Sequence, residues 1–174
     1  MEYLFILKYQ LSPQDCHQED IVERLGAAGC DDALIGIGQP GRIALEFTRE
    51  AESAQAALLS ALADVKQAVP SARLIEAGPD FVGLTDVAEL VGTTRQNMRK
   101  LMVNHATSFP APVHDGSIAV WHLIDVLKWL LARGAYPVAA GVAEVAETAK
   151  QVNLAKAAPA LVPHLQRELQ MLLV

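Results

Sequence analysis

The sequence predicts a mixed α+β protein in which an α+β domain precedes a helix-rich second half. Apolar residues alternate near the N-terminus, as in a half-buried strand, whereas later residues repeat apolar positions at helical spacing. Glycine and proline signals separate these stretches into short elements. The length of 174 residues suits one or two domains. We place an α+β domain at 1–80, a second domain at 81–134 and a helical tail at 135–174.

The N-terminal segment contains six predicted elements. The alternation from Tyr3 to Leu11 predicts the first strand, and the pattern over 15–28 predicts a helix that buries Ile21, Val22 and Leu25. The others are strands over 34–38 and 42–48, a helix from its Ser53 cap to Ala68, and a strand over 73–77. The resulting βαββαβ order predicts a ferredoxin-like sandwich, a fold that hosts many unrelated functions.

Glycines between the two middle strands formally match a dinucleotide-binding motif, Gly36-x-Gly38-x-x-Gly41. That motif must open a helix after a strand, so that the helix N-terminus receives the pyrophosphate. Here Pro40-Gly41 leads into a β-branched and aromatic run, which indicates a hairpin turn. The sequence holds no other catalytic motif, and we therefore predict neither an enzyme nor a cofactor.

The cysteines and histidines lack the spacing of a metal site. Cys16 and Cys30 lie fourteen residues apart, so free thiols are the simplest interpretation, with a disulfide or redox sensor as the alternative. His105, His114 and His122 have no neighbouring Cys or Glu to complete a ligand set. We predict no bound metal.

The stretch from Leu84 to Leu101 predicts two short helices around a tight turn. Thr85 and Thr94 each stand where a side chain could cap a helix start, and Gly92 allows a turn where a Cβ would clash. The small Ala88 lets the two helices approach closely. The residues predicted to face inward together are Val87, Val91, Met98 and Leu101.

The outer face of the second helix predicts a DNA-reading surface. This helix carries three cations and no anion, whereas the first helix carries Asp86 and Glu89. Its side chains can hydrogen-bond base edges or hold phosphates. The alternative is a face that is only solvated. The turn chemistry, the small residue at the helix contact and the basic face, however, all favour DNA reading. The predicted contact residues are Thr94, Arg95, Gln96, Asn97, Arg99 and Lys100.

A hairpin and a third helix follow this pair. Asp115-Gly116 is a hairpin signal between two extended runs. The rings of Phe109 and Trp121 are predicted to close a small core. Apolar residues then recur at helical spacing over 123–133, and Gly134 provides a natural stop.

With these elements the middle segment resembles the winged helix-turn-helix DNA-binding domains of the excisionase and mercury-resistance-regulator type. The resemblance covers 81–133, under a third of the chain. It rests on the turn from Thr85 to Gly92, the wing entry Phe109-Pro110-Ala111-Pro112, the wing return from Gly116 to Trp121, and the helix Asp125-Val126-Leu127-Lys128-Trp129-Leu130.

The resemblance implies how the segment would meet DNA. In that family the second helix enters the major groove and the wing contacts the backbone or the minor groove. The matching positions here are 94–100 and 114–117. Because the wing tip is Asp115, where such wings carry a cation, His114 and Ser117 are the candidate wing contacts.

The net charge of −6 is unevenly distributed along the chain. Residues 1–80 carry 6 cations and 13 anions, whereas residues 81–133 carry 5 and 4. Affinity for DNA grows with the number of phosphates neutralised, so one copy would bind weakly and a homodimer is expected. The sequence has no long apolar run and no positive region before its N-terminal apolar stretch, and we expect a cytoplasmic protein without a membrane partner.

The C-terminal tail predicts two helices with narrow apolar seams. The first repeats small apolar residues at heptad-like spacing: Val138, Val142, Val145, Ala149 and Val152. Pro159 is predicted to start the second, whose stripe is Leu161, Leu165, Leu169 and Leu172. We predict that these seams hold the homodimer together; the alternative is that both helices cover the winged domain.

These features predict a prokaryotic-type, sequence-specific transcriptional regulator that binds double-stranded DNA as a homodimer. Two alternatives stay open. The chain could be an excisionase-like architectural factor that bends DNA, or an adaptor or antitoxin-like protein whose N-terminal domain binds another protein. That domain is also where a small-molecule effector would bind.

Overall fold

The computed structural model describes residues 1–15, 17–134 and 136–173. The predicted thiol Cys16 lies outside these ranges. Over the described residues the fold is mixed α/β, with two antiparallel sheets and two hydrophobic cores. The first core belongs mainly to the N-terminal part of the chain, and the second to the part that follows residue 80.

The N-terminal part forms a four-stranded antiparallel sheet in the order β2-β3-β1-β4. The six predicted elements are present in the predicted order. They are β1 (Glu2–Gln10), α1 (Gln18–Ala27), β2 (Ala33–Gly36), β3 (Arg42–Glu50), α2 (Ala54–Ala68) and β4 (Arg73–Gly78). The predicted cap of α2 is confirmed, because the Ser53 hydroxyl accepts a hydrogen bond from the Ala56 amide at 3.1 Å. The glycine motif at 36–41 lies in the β2–β3 hairpin, as predicted.

One face of this sheet is packed and the other is bare. On the packed face Tyr3 and Phe5 of β1 meet Phe47 of β3. The helices α1 and α2 cover that face, because strand side chains alternate between faces and helix residues four apart share a side. The predicted burial of Val22 is wrong. Ile21 and Leu25 are buried on one side of α1, whereas Val22 is turned away and is 42 % exposed.

The second core closes around three helices and a small sheet in the order β5-β7-β6. Its elements are β5 (Phe81–Val82), α3 (Leu84–Leu90), α4 (Arg95–Asn104), β6 (His114–Asp115), β7 (Ala119–His122) and α5 (Leu123–Ala132). Phe109 and Trp121 are buried in this core with their rings edge to face, which confirms their predicted place. The Trp121 indole nitrogen donates to the Pro110 carbonyl at 2.9 Å.

The C-terminal part comprises α6 (Val142–Ala157), a short 3₁₀ turn (Ala158–Ala160) and α7 (Pro163–Leu172). The last helix was predicted to begin at Pro159. It begins at Pro163, because residues 158–160 form the tighter turn and the chain extends again at Leu161. Among the described residues, no helix is long and apolar enough to cross a membrane.

The helix α6 ties the two cores together. Val145 and Ala149 pack in the first core, and Ala146 packs in the second. Asn153 of α6 pairs with the outer edge of β4, because its amide oxygen accepts from the Ala77 N–H at 2.9 Å and its amide nitrogen donates to the Ala77 carbonyl at 2.8 Å. The first helix of the predicted tail at 135–174 is therefore packed on both cores of its own chain.

A buried carboxylate marks the point where both cores and α6 meet. Asp80 is fully buried, with its two oxygens at 2.7 Å from Nδ1 of His122 and at 2.7 Å from the amide nitrogen of Asn153. Its backbone carbonyl also accepts from the Leu123 amide at 2.7 Å. Because a buried charge needs such partners, this network holds the two cores in one relative position.

Candidate nucleic-acid interface

The predicted pair of helices is present, with one change at its start. Thr85 was predicted to cap the first helix, and this is wrong. The N-cap is Gly83, and Asp86 at the third helical position accepts a hydrogen bond from the Gly83 amide at 2.7 Å. Thr85 lies inside the first turn of α3. An acidic side chain suits that place, because it also faces the positive end of the helix dipole.

The turn between α3 and α4 matches the prediction. Gly92 has a φ of +69°, a left-handed conformation that favours glycine. Thr94 is the N-cap of α4, and its hydroxyl accepts from the Asn97 amide at 3.1 Å. Val87 and Met98 are fully buried between the two helices. The start of α4 is therefore held at a defined angle to α3.

Asn97 was predicted to read bases, and the structure gives its side chain an internal task. The amide nitrogen donates to the Thr93 hydroxyl at 2.9 Å and to the Tyr136 hydroxyl at 2.8 Å. Recognition of adenine needs the amide as donor and acceptor together, and here the donor is already engaged. We therefore reassign Asn97 as a positioning residue that fastens α4 to the chain after α5.

The other predicted residues of α4 point outward. Arg95, Gln96, Arg99 and Lys100 are exposed, and none of their side chains makes a hydrogen bond or ion pair within the described ranges. This part of the interface agrees with the predicted outer face. These side chains supply three positive charges, the amide donors and acceptors of Gln96, and long flexible reach.

On the α5 side of the second core, three charged side chains contact other groups of the chain. Lys128 of α5 contacts Glu147 of α6 at 2.5 Å, and Asp125 of α5 contacts Lys150 of α6 at 2.8 Å. Arg133 stacks over the Trp129 ring at 4.2 Å. The two ion pairs between α5 and α6 are therefore neutral, whereas Arg133 keeps its charge. Among the described residues of 81–133, the cations whose side chains contact no other group are those of α4.

The predicted wing forms a two-stranded hairpin next to α4. His114 and Asp115 pair with Val120 and Ala119, and residues 116–118 make the turn. The predicted wing contacts His114 and Ser117 are both exposed. Between the wing and α4 runs a groove of about 1110 Å³, with Arg95 and Arg99 on the helix side and Ser117 on the wing side.

Sequence reasoning missed two residues of this surface. Ile118, at the wing turn, is 70 % exposed and also lines the groove. An apolar residue next to a predicted Asp-Gly turn could have been found from the sequence, because a turn tip has no core to enter. Tyr136 had no such signal, since its bond to Asn97 joins residues 39 positions apart.

The predicted dimer seam divides into two parts. Val145 is buried in the first core, and Val138, Val142 and Val152 are partly buried against one core or the other. These four residues pack inside their own chain, so their assignment to a dimer interface is corrected. The reason is that a heptad-like stripe shows that a face is buried and not which surface buries it. The predicted leucine stripe of the last helix is less covered: Leu161, just before α7, and Leu165 are exposed, and Leu169 of α7 is half buried.

The ionisable groups of the first core are buried or paired. Arg49 is buried between Asp32 and Asp64, at 2.7 Å from each, and these carboxylates raise the pKa of its guanidinium. Burial raises the pKa of the Cys30 thiol to about 11, which keeps it protonated at neutral pH. Within the described parts of the chain, no group of three His, Cys, Asp or Glu side chains is arranged to hold a metal ion.

No family model, curated protein or solved structure matches this chain. The interpretation of the surface on α4 and the wing therefore depends on its own geometry and charge.

Proposed function

We propose that this protein is a sequence-specific DNA-binding transcriptional regulator of prokaryotic type that acts as a homodimer. One observation carries the proposal: the outer face of α4 presents Arg95, Gln96, Arg99 and Lys100 without internal partners. Of the other two cations of residues 81–133, Lys128 pairs with Glu147, and Arg133 contacts only His105 and the Trp129 ring. Three of the four cations without an anionic partner among the described residues therefore lie on one helix. Such a face is the electrostatic footprint of a DNA-reading helix.

The proposed fold of residues 81–134 is a winged helix-turn-helix. The order α3, turn, α4, hairpin and α5 supports it, as does the sheet order β5-β7-β6. In this fold α4 would enter the major groove, with Arg95 and Gln96 near base edges and Arg99 and Lys100 nearer phosphates. His114 and Ser117 of the wing would contact the neighbouring backbone.

The proposed fold of residues 1–80 is ferredoxin-like. The βαββαβ order and the antiparallel strand order β2-β3-β1-β4 support this proposal. Such a module carries no chemistry of its own that points to DNA, and it is acidic. Its role in a regulator would be to bring two DNA-reading domains together or to bind an effector.

Dimerisation follows from the small charge of one DNA-reading surface. Three free cations on α4 neutralise too few phosphates for tight binding by one copy at physiological salt. Two copies related by a twofold axis would read two half-sites about 34–36 Å apart, or a multiple of that spacing. The operator is then expected to be a palindrome or near-palindrome.

The test is selection of bound DNA from a random pool, with the wild-type chain and with Arg95→Ala. The wild type is expected to enrich one sequence, and Arg95→Ala to lose about 1–3 kcal/mol on it and to relax the preference at one position. Arg167→Ala is the matched control, because it removes an equally exposed arginine from α7. A pool without enrichment, or an unchanged preference in Arg95→Ala, would contradict the proposal.

A second candidate function is an excisionase-like factor that bends DNA. The observation in its favour is Ile118 at the wing turn, because architectural proteins insert apolar side chains between base steps to kink the duplex. Bending measured by energy transfer between the ends of a bound duplex separates the two. Ile118→Ser should reduce a bend and leave a simple regulator unaffected.

A further inference from the structure

The bare face of the N-terminal sheet carries an apolar centre. We name it the open sheet face and define it by the outward residues of the four strands. Leu4 of β1 is 62 % exposed and Leu34 of β2 is 73 % exposed, while Ile6 and Ala44 lie half buried beside them. No described helix covers this face, since α1, α2 and α6 pack on the other side or along the edge of β4. Because no described helix covers these two exposed leucines, the face is a candidate binding surface.

Charge is arranged along the strands of this face, with opposite signs at its two ends. The strand register places Gln10 between Arg42 and Arg73 at one end. At the other end Glu2 lies opposite Glu50. All four charged residues are exposed. The side chains of Glu2, Glu50 and Arg73 make no hydrogen bond or ion pair with the described residues. Arg42 contacts only the neutral Gln39 side chain, at 3.3 Å.

We propose that the open sheet face binds the same face of a second copy of this chain. The twofold axis would lie between the two sheets and run perpendicular to the strands. That operation reverses the strand ends, so Arg42 and Arg73 of one copy meet Glu2 and Glu50 of the other at both ends of the interface. The proposal deepens the homodimer part of the proposed function and rests on it.

The charge pattern favours a second copy over an unrelated partner, because a twofold interface must be complementary to itself. A face with one sign of charge would repel its own copy, whereas this face presents both signs at opposite ends. The apolar centre would supply the binding energy, and the charges would set the register.

The size of the face sets the expected affinity. Its strands have nine residues in β1, four in β2, nine in β3 and six in β4. At ~3.4 Å per residue and ~4.8 Å between strands, the face offers roughly 450 Å² per copy, and two copies would bury about 900 Å². This area lies just below that of a stable interface, so a weak dimer is expected, which a shared operator would strengthen.

Two further charges lie within the face. Glu46 stands between Leu34 and Ile6 in the strand register. Lys8 is one row away on β1 and contacts Glu76 of its own chain at 3.2 Å. The twofold axis that pairs the two strand ends crosses the row of Ile6 and Glu46, so the Glu46 side chains of the two copies face each other. Lys8 of each copy, one row away, is the cation that can offset the cost of burying these two carboxylates.

Sedimentation of the full chain over a concentration series tests the apolar centre. The double variant Leu4→Asp and Leu34→Asp is expected to raise the dimer dissociation constant about a hundredfold, because it places unpaired carboxylates in the interface. Leu59→Asp is the matched control, since Leu59 is 51 % exposed on the opposite, helical side. Circular dichroism melting confirms that each variant is folded.

Charge reversal tests the proposed register. Arg42→Glu with Arg73→Glu, and separately Glu2→Arg with Glu50→Arg, should each weaken the dimer roughly tenfold. The chain with all four substitutions should recover the wild-type affinity, since both ends are reversed together. The control Glu23→Arg changes an exposed charge on α1 and should have no effect.

Clear outcomes would overturn the proposal. These are a monomeric wild type, a dimer that survives both the leucine and the charge variants, or a fourfold variant that is no better than either pair. Loss of the dimer in Leu165→Asp alone would place the interface on α7. The DNA selection distinguishes failure of this inference from failure of the proposed function. A monomer that still enriches a sequence would contradict only the sheet-mediated dimer. A sheet-mediated dimer that enriches no sequence would contradict only the proposed DNA reading.

Discussion

The helices α4 and α6 differ in where their charged side chains go. On α6 each charge has a partner in the chain: Glu144 accepts from the Tyr3 hydroxyl, Glu147 and Lys150 pair with residues of α5, and Lys156 donates to the Ile75 carbonyl. On α4 the three cations have no such partner among the described residues.

The difference shows how the chain divides its polar groups between stability and binding. Polar groups that are satisfied inside the protein fix the relative position of its parts, as Asn153 does between the two cores. Unpaired cations on an ordered helix contribute little to folding and are available to a ligand. Substitutions on α6 should therefore change stability, and substitutions on the outer face of α4 should change binding.

The largest expected effect is that of Asn153→Ala. It removes the partner of the Ala77 backbone and of one oxygen of the buried Asp80. Leaving one oxygen of a buried carboxylate and two backbone groups without partners should lower the free energy of unfolding by about 3–5 kcal/mol, measured by urea denaturation. Gln151→Ala, on the exposed side of α6, is the control and should change it by less than about 0.5 kcal/mol. Equal losses in the two variants would mean that the network does not hold the cores together.

Asn97→Ala should lower the stability by about 1–2 kcal/mol, because it removes two hydrogen bonds that fasten α4. The affinity for the preferred site and the affinity for unrelated DNA should fall by the same factor, without a change of preferred sequence. Tyr136→Phe removes one of the same bonds and leaves the outer face of α4 intact, so it should give the same pattern at smaller amplitude. A changed sequence preference in Asn97→Ala but not in Tyr136→Phe would restore Asn97 as a reading residue.

Arg99→Ala and Lys100→Ala should each weaken DNA binding by about 1 kcal/mol near 0.1 M salt, equally for the preferred site and for unrelated DNA. The slope of log affinity against log salt should fall by about one for each. Gel shifts across a salt series measure this. Lys66→Ala on α2, where the ammonium donates to the Pro70 carbonyl, is the control and should leave the slope unchanged. A loss confined to the preferred site would identify these residues as base readers.

The smallest effect is expected from Glu147→Gln. The Lys128 ammonium that is hydrogen-bonded to Glu147 holds the pKa of that carboxyl below its usual value of 4.5. A lowered folded-state pKa stabilises the fold above the unfolded value, and the stabilisation is lost as the pH falls through the folded one. The variant should therefore cost about 0.2–1 kcal/mol at pH 7, and the difference should shrink as the pH falls below 4.5. Glu23→Gln, on an exposed carboxylate of α1, is the control. A difference that persists undiminished in acid would show that Glu147 acts through packing and not through charge.

Much of the local structure was predictable because its causes are local. The alternation in β1, the Ser53 and Thr94 caps and the turn at Gly92 each depend on residues within four positions of one another. The exposure of the α4 cations was predictable in the same way, from the helical spacing of its apolar residues. Val22 and Pro159 were misplaced because a pattern locates an element better than its boundary or the exact width of its buried face.

Contacts between distant residues were decided only by the tertiary structure. The sequence by itself determined that α6 has a buried stripe, that Asn97 has an amide and that β1 has two unlike faces. The fold decided that this stripe packs on its own chain, that the amide meets Tyr136, and that Asp80 joins His122 and Asn153. It also decided which sheet face stays open, because α1, α2 and α6 all pack on the other side or at the edge. The physical reason is that periodicity specifies which side of an element avoids water, whereas the surface that covers it is chosen by the packing of the whole chain.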